Sequence, residues 1–197
     1  MIGGDESDPM PTAVSSSFDV AFWFIGKADA EGVTLPTMKL QRLMFLSQAY
    51  FAASTRGERL MPSVFVSSEQ GPIEPNMVRL AGLASQNIET LELHAPVRGF
   101  LDGIWDTFGL QSLDKLDALV MANQAVREAM GEGRNTEISA TAMHNHFSAD
   151  LRHSRVLDRL REPGASGTKS KSKPKVEIPK FHRGKPVKKW LPGMKPG

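Results

Sequence analysis

The 197-residue chain contains no cysteine. That excludes a disulfide framework and thiolate metal sites, and it suits a reducing compartment. No apolar run reaches the roughly 18–20 residues that a membrane-spanning helix needs, so no membrane partner is expected. The opening MIGGDESDPMPTAVSSS lacks the basic start and apolar core of a secretion signal, and a cytoplasmic location is expected. A glycine-rich phosphate loop is missing: GEGR at 131–134 follows a helical stretch and precedes nothing Walker-like. None of the serines sits in a nucleophile-elbow context, and there is no repeat of solenoid length. With no catalytic constellation, the chain reads as a non-enzyme without a cofactor.

Acid is scarce in one part of the chain only. Residues 1–162 carry 14 Lys+Arg against 21 Asp+Glu, a net −7, while residues 163–197 carry 10 against 1, a net +9. Such asymmetry bears on partners. Pro163–Gly197 holds five glycines and six prolines, too few apolar residues for a core, and reads as a flexible arm. Within it, Lys185, Lys188, Lys189 and Trp190 form a short linear element, a candidate for binding an acidic partner. A polyanion such as nucleic acid is the second reading of this arm.

Helical periodicity governs most of the rest. Residues 1–16 read as a disordered N-terminus and 17–162 as one domain. Ser16 and Asp19 resemble a Ser-x-x-acid cap, after which Phe18, Ala21, Phe22, Ile25 and Ala28 recur at helical spacing up to Gly32. A second helix spans about 36–55. It is apolar nearly all round, which marks a helix buried on several sides. Val64-Phe65-Val66 favours a short strand, Gly71-Pro72 a bend, and Pro75 a helix start. Later helices are expected from Pro96 to Gly109, over 113–130, from Thr136 or Ser139 through Phe147, and in a charged stretch from Asp150 to Pro163. The fold class is therefore mainly α: a compact domain of about six helices with a small β element, flanked by disordered tails.

Several polar groups need an account. Gln41 and Gln48 lie seven residues apart on the second helix between apolar neighbours. Buried amides need partners, so both are expected to bond backbone of Ser67–Pro72 and hold that loop to the core. His144, His146, His153 and Asp150 fit no metal-ligand spacing, and no metal is expected. Asp114 and Asp117 read as solvated carboxylates. Arg152, Arg155 and Arg159 make a helical stripe, but Asp150, Asp158 and Glu162 interleave with it, as on an ordinary solvated face.

The chain resembles a known family at four places in order. Leu35–Tyr50, with Lys39-Leu40-Gln41-x-Leu43-x-Phe45-x-x-Gln48, is similar to the signature of the Panacea domain of SocA-like antitoxins. FDVAFWFIGKADAEG is similar to that family's first helix. Gly71-Pro72-Ile73-x-Pro75 resembles its Gly-Pro-hydrophobic-x-Pro turn, and Leu101-Asp102-x-x-Trp105-x-x-Phe108-Gly109 resembles its fourth helix. Lys39, Gln41, Gln48, Pro72 and Pro75 are thus the structural motif positions. The chain departs from the pattern at Ser68, where the family carries Trp, and at Val120-Met121, where it often carries Thr-His. The resemblance implies a mainly helical antitoxin that binds and neutralises a cognate protein toxin. In the SocA branch it implies an adaptor that delivers the toxin to the ClpXP protease. The expected contact surface surrounds the bend: Ser68, Glu69, Gln70, Gly71, Asn76 and Arg79. A loop between a strand and a helix presents polar groups on a rigid support; alternatively, Gly71-Pro72 only turns the backbone.

Overall fold

The computed structural model describes residues 12–78 and 92–151. Among these are seven α-helices: α1 (Ser17–Glu31), α2 (Thr37–Ser54), α3 (Pro75–Val78), α4 (Ala95–Ile104), α5 (Leu113–Met121), α6 (Gln124–Glu132) and α7 (Ala140–Leu151), with α2 mostly buried at the centre. The Asp150–Pro163 stretch lies outside the described residues from 152 onward, as do Pro163–Gly197 and Met1–Pro11.

Every residue of α2 from Lys39 to Tyr50 is buried. α7 packs along it most extensively, and α1, α4 and α5 also lie against it. The seams are aromatic. Phe45 meets Phe65 edge-on at 5.4 Å between ring centroids. Tyr50 lies 4.8 Å from Phe147 and 5.5 Å from Phe108. Phe51 meets the Phe100 ring at 5.3 Å. Burying each such ring contributes about 1.5–3 kcal/mol, with a further increment for offset or edge-on geometry.

α1 begins where the Ser16 hydroxyl accepts the Phe18 N–H at 3.1 Å. It ends at Gly32, whose φ of 66° closes the last turn on the carbonyls of Ala28 and Asp29. Its buried face is rotated from the one expected, although Ala21 and Ala28 belong to both. Val20, Ala21, Phe24 and Ala28 turn inward, while Phe18, Phe22 and Ile25 stay half-buried. Trp105 selects this rotation: its ring lies 6.3 Å from that of Phe24, and its indole N–H donates to Glu31 at 2.9 Å. The inner end of the N-terminal segment is also structured rather than disordered. The N–H groups of Ala13 and Val14 donate to the carbonyls of Arg59 and Leu60, and Val14 is buried.

Two helices depart from their expected course. α4 runs into a π-helical turn, Trp105–Gly109, before stopping at Leu110. A Cβ at Gly109 would stand 2.5 Å from the Trp105 ring, so the widened turn requires glycine there. The single helix expected over 113–130 is two. Asn123 breaks it, because its side-chain oxygen accepts the Ala125 N–H at 2.8 Å and caps α6. Asparagine offers the backbone an alternative to a continuing helix, and here that alternative prevails.

Candidate functional site

The candidate site is the bend between Phe65 and Met77, and it is built outward from α2. The strand expected at Val64–Val66 does not extend beyond isolated bridges. Val66 pairs with Ile73 on one side, each N–H donating to the other's carbonyl at 2.9 Å. On the other side Val66 faces Glu137; Ser67 N–H donates to Thr136 O at 2.8 Å and Ile138 N–H to Phe65 O at 2.8 Å. Ser67 adds side-chain ties, its hydroxyl donating to Gly133 O and accepting the Thr136 N–H.

Among the described residues no further strand seals the Ile73 side; side chains of α2 do. Gln41 grips Glu74 at both backbone groups, its oxygen accepting the Glu74 N–H at 2.8 Å and its amide donating to Glu74 O at 3.2 Å. Arg42, 1% exposed, donates through Nη1 to Pro72 O at 2.9 Å and through Nη2 to Gln70 O. Its Nε meets Asp117 of α5 at 2.5 Å. One guanidinium therefore ties α2, the bend and α5 together. Its planar fork suits this task, since it can serve carbonyls and a carboxylate at once.

This corrects three expectations. Gln41 reaches Glu74, two residues past the expected segment. Gln48 does not reach the bend; its oxygen accepts the Met61 N–H at 3.2 Å. Asp117 is a partner of Arg42 and not a free carboxylate. Arg42 was legible in principle. It is a charge among apolar residues of a buried helix, and a buried charge demands partners.

Around the tip, Ser68 accepts the Gly71 N–H at 3.1 Å through its carbonyl, and its hydroxyl donates to Gly71 O at 2.6 Å. Gly71 sits at φ +99°. A Cβ there would lie 2.9 Å from Arg42 Nη2, so both the backbone and the close approach of Arg42 call for glycine. Glu74, almost fully buried, accepts the Met77 N–H at 2.9 Å and the Asn76 side-chain amide at 2.8 Å, which caps the start of α3.

The candidate contact residues separate accordingly. Glu69, Gln70 and Asn76 are exposed. Ser68 is half-buried and occupied in the turn, and Gly71 is buried under Arg42. Arg79 lies outside the described residues, as do Lys185, Lys188, Lys189 and Trp190. Glu69 pairs with Arg134 at 3.0 Å across two largely exposed side chains, so Arg134 belongs to the same surface although nothing near it in sequence suggested so. Among the motif positions, Pro72 is buried and Pro75 opens α3. Lys39 is buried in the first turn of α2, and desolvation pulls its pKa below the ordinary lysine value.

Of the histidines, His144 is engaged through Nδ1 with Ala52 O at 3.0 Å, and His146 lies edge-on to Phe147. Among the described residues no three His, Asp or Glu side chains gather as metal ligands. No helix there is long and apolar enough to cross a membrane. Comparison with protein-family models, with curated proteins and with solved structures finds no match.

Proposed function

We propose that this chain is a non-enzymatic antitoxin that neutralises a cognate protein toxin by direct binding at the Gly-Pro bend. One observation carries the reading. Gln41 and Arg42 of the Lys39–Gln48 helix hold the Gly71–Pro75 turn rigidly, and Glu69, Gln70 and Asn76 face outward on that frame. Two of the stretches that resemble the antitoxin family are thus one mechanical unit, and Glu69 and Gln70 present side chains on it that the core does not use. Rigid support under polar residues reduces the ordering cost of association. The finer form of the proposal is delivery of the bound toxin to ClpXP in the cytoplasm.

The test starts from a pull-down of the full chain in its native cell, with mass spectrometry of co-purified proteins. Glu69→Trp with Gln70→Trp, both at exposed positions, should keep the melting temperature and reduce toxin affinity by about thirtyfold or more, as loss of central interface residues does. Continued protection by this double variant would place the binding face elsewhere. Protection that disappears without ClpXP supports the adaptor form; protection indifferent to the protease supports occlusion.

A further inference from the structure

Part of the α1 face that periodicity assigned to the core packs against it without being fully covered by the described residues. Phe18, Phe22 and Ile25 recur at i, i+4 and i+7, so they form one stripe, and all three are only half-buried. The Phe18 and Phe22 rings stack at 6.5 Å. Asp29 continues the stripe at i+11 and is exposed. Beside its end, Ile25, Asp29, Gly32, Val33, Thr34 and Leu35 line an open groove of about 420 Å³. That volume is within the roughly 300–1,000 Å³ of binding clefts and large enough for a bulky side chain.

The groove has one charged wall. The neighbouring cation, Lys27, is turned toward Asp102 at 2.8 Å and Glu31 at 3.7 Å. Among the described residues Asp29 has no ion-pair partner. Residues 1–162 as a whole carry a net −7, a charge that favours a cationic partner. An acidic rim beside an apolar floor selects for a cationic group next to an apolar anchor.

We propose that this face docks a polypeptide partner: an amphipathic helix whose apolar residues cover Phe18, Phe22 and Ile25, and whose Lys or Arg reaches Asp29. The proposal is independent of the antitoxin reading, because it concerns a different surface. A partner helix presents its own apolar anchors at i, i+3, i+4 and i+7 to such a surface. The charge supplies polarity of docking more than affinity, since an exposed ion pair is weak.

The probe is a pair of synthetic amphipathic peptides with leucines at i, i+4 and i+7, identical except for Lys or Glu one turn beyond. They are titrated against the full chain while the Ile25, Val33 and Leu35 methyl resonances are followed. The Lys peptide should shift all three and bind about two- to fivefold tighter than the Glu peptide, the range an exposed ion pair supports. Asp29→Asn, an exposed substitution that spares the fold, should abolish that preference while keeping the leucine-dependent shifts. Ile25→Gln should weaken both peptides alike, with melting followed to confirm folding. Absence of shifts at these methyls, or a Lys preference that survives Asp29→Asn, overturns the proposal.

Discussion

Replacing Arg42 with Met tests the account of the bend most directly. Methionine keeps most of the buried stem and removes the guanidinium. Three interactions are lost: the bonds to Pro72 O and Gln70 O and the ion pair with Asp117. They do not count equally. The Pro72 residue is buried, so its carbonyl loses a partner without gaining water, at a cost of about 1–3 kcal/mol. Gln70 is exposed and rehydrates at little cost. The Asp117 side chain is 38% exposed, so solvent screens its loss to about 1 kcal/mol or less. Relief from burying a guanidinium offsets part of this. The net expectation is a loss of about 1–3 kcal/mol. For a chain of this size that lowers the melting temperature by roughly 2–12 °C. Circular dichroism melts give the magnitude, and hydrogen exchange at the Val66 and Ile73 amides gives the location. Asp117→Asn should cost about 1 kcal/mol or less in the same assay. An Arg42→Met melt within about 2 °C of wild type, or an Asp117→Asn variant equally damaged, would falsify the assignment of Arg42 as the clamp on the bend.

Other outcomes follow from single residues. Gly71→Ala must hold a positive φ with its Cβ against Arg42; it should destabilise by more than about 1 kcal/mol in urea titration, and no loss would mean that the turn can relax. Asn123→Ala removes the α6 cap and should cost about 1–2 kcal/mol, read as early exchange of the Ala125 amide. Lys27 and Lys39 should respond to alkali in opposite senses. The Lys27 pKa is raised by its hydrogen bond to Asp102, so its stabilisation is complete below the unfolded lysine value and fades as pH rises through the higher folded one. The Lys39 pKa is lowered by desolvation, so its penalty is complete below its folded value and is relieved as pH rises toward the unfolded value of 10.5. Lys39→Met should therefore raise the melting temperature at pH 7 by an amount that shrinks near pH 10; a constant gain across that range would point to packing instead.

The amino-acid sequence by itself determined the parts of this protein that depend on neighbours along the chain. The Ser16 cap and the Gly32 stop bound α1 because both act within one helical turn. The stretch from Met38 to Ala53 reads as a buried helix because apolar residues recur on nearly every side of it. The Gly-Pro bend was legible because glycine and proline restrict their own dihedrals. Tertiary structure decided where a choice remained among partners distant in sequence. Gln41 could satisfy its amide on any nearby backbone, and Glu74 offered both an N–H and a carbonyl at once. Periodicity placed Phe18, Phe22 and Ile25 together but could not say which side of α1 would meet Trp105. Val64–Val66 has strand propensity, yet a strand needs a partner along its length. Pro72 cannot donate, and Gln41 and Arg42 had already taken the groups that a further strand would have paired. The Arg42–Asp117 contact joins residues 75 positions apart, so no local pattern encodes it. What the sequence did contain was the demand: a charge within a buried helix requires an answering group, and only the packed chain could say which one answers.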